Sequence, residues 1–197
     1  MQSYIEINPI ELLAVLTGII SVWLAKKENV WLYPIGIISV CLWIYLCWIE
    51  NMLGQSLINF FFFLMNVYGL YNWLRTDKNN QPNVIIKRNN NKENGLVLLI
   101  SFFLSIIIYY LLLPFQEDNV LFIYVVLEAV ITALNFVAMW LMAWKRLEHW
   151  ILWIIGDIMC IPLYIHKDYP LGVFQFMVFI AIAYMGYKEW KLKAIQE

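Results

Sequence analysis

The sequence predicts an all-α membrane protein of seven transmembrane helices in a 3+1+3 arrangement, its two three-helix units being parallel repeats related by a pseudo-two-fold axis. Three observations predict it. The 197 residues are 63% hydrophobic and only 14% charged, with a mean hydropathy of +0.70; soluble domains are nearer half apolar and a quarter charged. Seven apolar runs are long enough to cross a hydrocarbon core about 30 Å thick, which takes ~20 helical residues. The basic residues fall almost wholly on one side of those runs.

The runs cover 9–25, 30–48, 54–73, 95–113, 120–143, 149–165 and 170–190. The first has no positively charged leader and no small-residue cleavage site, so it reads as a retained helix, not a signal peptide. Pro34 in the second and Pro162 in the sixth are expected to kink their helices. Residues 74–94 are Asn-rich and low in complexity, a solvated cytosolic loop in which Val84, Ile85 and Ile86 are too few to span. A lone linker helix follows over 95–113. Other connections are short, so 1–197 reads as a single transmembrane domain. Cys41, Cys47 and Cys160 lack metal spacing and read as packing residues, as do the methionines. His149 and His166 sit at span ends and read as interfacial.

Orientation follows from charge. Lys26, Lys27, Arg75, Lys78, Lys87, Arg88, Lys92, Lys145, Arg146, Lys188, Lys191 and Lys193 lie on one side, and only Lys167 on the other. The positive-inside rule then places the N-terminus outside and the C-terminus in the cytosol, and the expected location is the inner (plasma) membrane. A net charge of −1 without a separate basic patch argues against nucleic-acid binding.

The repeat joins 9–73 to 120–190. Glu11 and Glu128, Trp23 and Trp140, Gly69 and Gly186, and Trp73 and Trp190 are all 117 apart. Between them, two extra residues in the second unit set Trp31 against Trp150, followed by Gly36 against Gly156, Cys41 against Cys160 and Tyr45 against Tyr164. Both units start outside, so the repeat is parallel. Such repeats occur in transporters with midplane sites, and the 3+1+3 plan is that of the SWEET sugar transporters, a likeness of fold that leaves function open.

Function is argued from polar groups at depth. In HWILWIIGDIMC, residues 149–160, Asp157 stands alone among apolar neighbours. A carboxylate at mid-span costs at least ~2.5 kcal/mol on insertion scales, so it should face the bundle interior or a wet cavity. Trp150, Trp153, Asp157, Cys160 and Tyr164 share one helical face. Matching stripes are Gln55, Asn59, Phe62 and Asn66 in the third span, and Glu128, Thr132, Asn135 and Met139 in the fifth. Ser39 and Trp43 share a face of the second, and Gln175 lies in the seventh. Taken singly, Ser39 or Gln175 reads first as an interhelical hydrogen bond, whereas Asp157 flanked by aromatic rings reads first as functional. Together, carboxylates and aromatic faces without a lysine or arginine at that depth suit an organic cation, which aromatic rings attract. The expected substrate site is Trp150, Trp153, Asp157, Asn59, Asn66, Glu128, Trp43, Ser39 and Tyr164. No cofactor, metal site or nucleophile–base pair is expected, so the chain does not read as an enzyme; nor does the last span carry the deep lysine of a retinal protein.

NVYGLYNW at the end of the third span and RLEHWILW leading into the sixth resemble the PnuC family of vitamin transporters, whose pattern has YGWxxW and a basic-acidic turn before WxxW. The resemblance covers 9–190. It implies a facilitator for a vitamin nucleoside, typically nicotinamide riboside, whose uptake a cytosolic vitamin kinase drives by phosphorylation; the absence of a P-loop agrees. Relatives carry thiamine or riboflavin. This chain departs from the pattern at Leu70, where YGW has become YGL, and at Asp157, where nicotinamide-riboside members often have Asn. It departs again at Ser39 and Asn59, where they often have Asn and Gln. Thiamine is therefore the alternative substrate, and a substrate-binding subunit of an ATP-driven vitamin importer a further alternative. A homo-oligomer is left open.

Overall fold

The computed structural model describes residues 8–116, 121–166 and 168–196, so Lys167 and the start of the expected fifth span lie outside the described residues. Each apolar run forms a helix: α1 Pro9–Lys26, α2 Leu32–Ile49, α3 Leu53–Leu74, α4 Asn91–Leu112, α5 Phe122–Ala143, α6 His149–His166 and α7 Pro170–Gln196. All seven are long and apolar enough to cross a membrane.

Local chemistry sets the ends. The Asn8 side chain accepts from the Ile10 N–H at 2.9 Å, and Pro9 supplies a first-turn position that needs no N–H. Asn90 and Glu93 form a reciprocal capping box, so α4 begins at Asn91 and not at the expected 95. Pro34 falls in the first turn of α2, where no intrahelical bond is lost and no kink is required; Pro162 does lie inside α6.

α1 packs on α2, α2 on α3, α3 on α5, α5 on α6, α6 on α7, and α7 closes on α1. The six make a ring around a central space, while α4 packs on α5 outside it. One end of the ring carries the loops after α1 and α5 and the tails of α3 and α7, with Lys26, Lys145 and Lys193. This is the lysine-rich end.

Pairs of residues 117 apart recur in the same local role. α1, α2, α5 and α6 each end in a turn whose closing residue is left-handed, at Glu28 (φ 56°), Asn51 (φ 59°), Lys145 (φ 50°) and Asp168 (φ 50°). Glu28 and Lys145 are 117 apart, and so are Asn51 and Asp168. In each, the left-handed residue's N–H donates three residues back and the next N–H five back, a Schellman closure that usually employs glycine. The Trp73 indole donates to the Met142 carbonyl, and the Trp190 indole to the Lys26 carbonyl, both at 3.2 Å. Tyr33 lies edge-on to Trp73 at 89°, and Trp150 edge-on to Trp190 at 90°. The Tyr33 ring covers Gly69 and the Trp150 ring covers Gly186, so closely that a Cβ on either glycine would collide with the ring. Tyr33, not Trp31, therefore has the environment of Trp150. Trp31 is 63% exposed and Trp150 only 1%, so the two extra residues expected in the second unit are not needed.

Two further expectations need correction. The connection after α3 is not wholly solvated: Val84 and Ile86 are buried in the main core with Trp73, Leu147 and Trp190. Lys87 N–H donates to the Lys145 carbonyl at 3.1 Å, and Leu147 N–H to the Lys87 carbonyl at 2.9 Å. The strip is strapped under the lysine-rich end because those two side chains have apolar partners there. His149 is not interfacial but fully buried, its ring between Trp150 and Trp190 and its Nδ1 2.6 Å from the Arg146 carbonyl. His166 is exposed, stacked on Tyr124.

Candidate functional site

The ring encloses a cavity of about 730 Å³, within the range of sites for small organic ligands. It reaches the surface at the end away from the lysines, past exposed Glu50 and Met52 and half-buried Glu11, Gln55 and Tyr169. At the lysine-rich end its floor is Ala25, Leu32, Met142, Trp150 and Ala183, all buried. Below that floor lie Trp73, Trp190, Tyr33 and the Glu28–Lys145 ion pair, so among the described residues the cavity is open at one end and shut at the other.

All nine residues singled out in the sequence line this one cavity. α6 contributes Trp150, Trp153, Asp157 and Tyr164; α3 contributes Asn59 and Asn66; α2 contributes Ser39 and Trp43; α5 contributes Glu128. Helical periodicity brings them together, since each helix turns one polar stripe inward and an apolar stripe out. Several are held by hydrogen bonds. The Asn59 amide donates to the Gln55 carbonyl at 2.9 Å and the Asn66 amide to the Phe62 carbonyl at 2.8 Å. The Ser39 hydroxyl donates to the Ala14 carbonyl at 2.8 Å, spending that group on an α1–α2 contact. Glu128 accepts from Gln55 at 3.2 Å and Gln116 at 3.4 Å. Tyr164 packs edge-on against Phe176, 4.8 Å between ring centres.

Asp157 is 2% exposed and has no ion-pair partner among the described residues. It stands one turn beyond Trp153 and two beyond Trp150 toward the open end, about 10 Å along the axis from Trp150 at 1.5 Å per residue. Four carboxylates line the cavity, Glu11, Glu50, Glu128 and Asp157, and among the described residues no lysine, arginine or histidine does. A cation entering it meets carboxylates and aromatic faces, whereas an anion finds no basic side chain among the described residues.

Sequence reasoning missed part of this wall. Glu11 entered only as a repeat match. Glu50, at a helix end, reads like any interfacial charge; its role at the mouth depends on the course of the chain. Asn135 and Gln175 were seen as polar positions but not placed in the site, and both line it. Gly18, Gly36 and Gly156 give no polar signal, yet each leaves room for a carboxamide: Gln175, Asn66 and Asn135 in turn.

Residues 8–192 match the family model described as "Nicotinamide mononucleotide transporter". The chain belongs to this family. It is similar to the nicotinamide riboside transporters PnuC of Escherichia coli (strain K12) and of Shigella flexneri, 22% identical to each over 205 aligned positions. Those alignments take in 94% of this chain and 86% of each relative. Its fold is that of the crystal structure of the vitamin B3 transporter PnuC, with a TM-score of 0.78 at 20% identity, over 95% of this chain and 82% of that one. A PnuC-family transporter with seven helices long and apolar enough to cross a membrane accounts for a cavity buried among spans.

Proposed function

We propose that the protein is a facilitator that takes up a cationic vitamin, nicotinamide riboside in the first instance, across the inner (plasma) membrane. One observation carries this reading: the cavity has four carboxylates, aromatic walls and no basic side chain among the described residues. Nicotinamide riboside presents a cationic ring and a neutral sugar, which the carboxylates and the carboxamides suit in turn. A phosphorylated nucleotide would need a lysine or arginine in the cavity, so the riboside is favoured over the mononucleotide. The lysine-rich end is cytosolic and the open end outside, with two parallel three-helix repeats flanking α4; the residue pairs 117 apart support that plan. Trapping by a cytosolic vitamin kinase supplies the drive, and the chain itself performs no catalysis.

Asp157 favours thiamine as a second reading, because a carboxylate is able both to pair with a thiazolium and to accept from an aminopyrimidine. Titration of the purified protein with nicotinamide riboside, nicotinamide mononucleotide, thiamine and riboflavin, followed by tryptophan fluorescence, tests both. The expected result is saturable quenching by nicotinamide riboside and a much weaker response to the mononucleotide. Tighter binding of thiamine replaces the first reading by the second, and preference for the mononucleotide overturns both.

A further inference from the structure

The lysine-rich end carries a constellation that substrate binding does not use. Lys145 Nζ lies 2.8 Å from Glu28 Oε1, and Lys193 Nζ 2.6 Å from Glu28 Oε2. The first pair joins the α1–α2 loop to the α5–α6 loop, one from each half of the ring. Burial pushes the Glu28 carboxyl up, but Lys145 and Lys193 together outweigh that and hold it below its ordinary value. Both latch residues occupy left-handed positions where glycine would be easier. Their side chains meet between the turns that close α1 and α5, at positions 117 apart in the sequence. Just beneath, Tyr33, Trp73, Trp150 and Trp190 close the floor of the cavity in two matching edge-on pairs. Lys145 Nζ also sits 4.5 Å above the Trp73 ring.

This plug is incompletely satisfied. The Tyr33 hydroxyl, the Trp150 indole Nε1 and the His149 Nε2 are buried without a hydrogen-bond partner. Orphaned polar atoms cost free energy that hydration returns. Leaving three of them dry narrows the free-energy gap between this closed state and one in which the halves part and water enters.

We propose that the Glu28–Lys145 pair is the latch, and the four rings the plug, of a gate between the cavity and the lysine-rich side. The gate opens by separation of the two three-helix halves. The proposal rests on the transport reading, but its test needs no substrate, so either can fail without the other. The reporter is Met142→Cys at the cavity floor, in a background with Cys41, Cys47 and Cys160 replaced by alanine. Labelling by a membrane-impermeant maleimide is timed in inverted vesicles, which present the lysine-rich end, and in right-side-out vesicles. The reporter alone should label from the open end and slowly from the lysine-rich end. Glu28→Gly keeps, and indeed favours, the left-handed turn while deleting the latch. It should raise labelling from the lysine-rich end by roughly two- to five-fold, the population shift expected of a part-exposed charge pair. Lys145→Gly should do the same. Arg146→Gln removes the neighbouring ion pair with Glu93 and should change nothing. Unchanged labelling in both glycine variants overturns the proposal, as does an equal rise in Arg146→Gln.

Discussion

Asp157 was legible because a carboxylate in the middle of an apolar helix admits few explanations, and a helical period carries its neighbours Trp153 and Trp150 onto the same face. Its consequence for binding is specific to charge. Asp157→Asn keeps the shape of the side chain and removes its charge, while Trp153→Ala removes a ring. A cation–π contact contributes ~0.5–2 kcal/mol, so Trp153→Ala should weaken binding of a cationic vitamin several-fold. Asp157→Asn should weaken the cation and spare its reduced, uncharged counterpart, as measured by titration of both ligands against both variants. Equal losses for the two ligands would make Asp157 a hydrogen-bonding group instead of a charge partner. Glu50 and Tyr169 were not legible. Nothing in the residues around them says that the mouth of the cavity passes there.

Among elements, the seven helices were readable from length and hydropathy, and only their ends moved. The strap after α3 was not. An alternation of three residues, Val84 in, Ile85 out and Ile86 in, is too short to stand out within an Asn-rich stretch, and its partners on α5, α6 and α7 are distant in sequence. The turns closed by Glu28 and Lys145 were equally silent, since the usual glycine marker is missing. Burial makes the strap a stability element. Replacing a fully buried isoleucine by alanine costs about 2–5 kcal/mol, so Ile86→Ala, at 4% exposure, should lower the midpoint of thermal unfolding in detergent by several degrees. Ile85→Ala, at 36% exposure, should leave it nearly unchanged. Equal shifts for the two would show that the strap does not pack beneath the plug in solution.

At the scale of the molecule, the repeat was half visible. Identical residues mark Trp73 with Trp190 and Gly69 with Gly186, but Tyr33 and Trp150 differ in type while sharing a role, so matching tryptophan to tryptophan pairs Trp150 with exposed Trp31 instead of Tyr33. A ring of six helices around a cavity lined by four carboxylates, in a sequence with no nucleotide motif, leaves the substrate's own gradient and charge to drive its movement. A facilitator that moves a monovalent cation alone responds to the cation's own concentration gradient and to the membrane potential, the latter at about 2.3 kcal/mol per 100 mV, or close to tenfold per 60 mV. Proteoliposomes holding the purified protein should therefore equilibrate nicotinamide riboside at equal concentrations when the potential is clamped at zero, whatever proton or sodium gradient is imposed. A potassium diffusion potential, negative inside, should raise the internal level by the factor its voltage predicts for one charge. Enclosing a kinase and ATP should pull total uptake far beyond that limit as the phosphorylated product accumulates. Coupling to protons would need a cavity carboxylate to carry one across with each substrate, and would appear as accumulation of unmodified substrate driven by a pH gradient at zero potential; that outcome would replace the facilitator with a symporter.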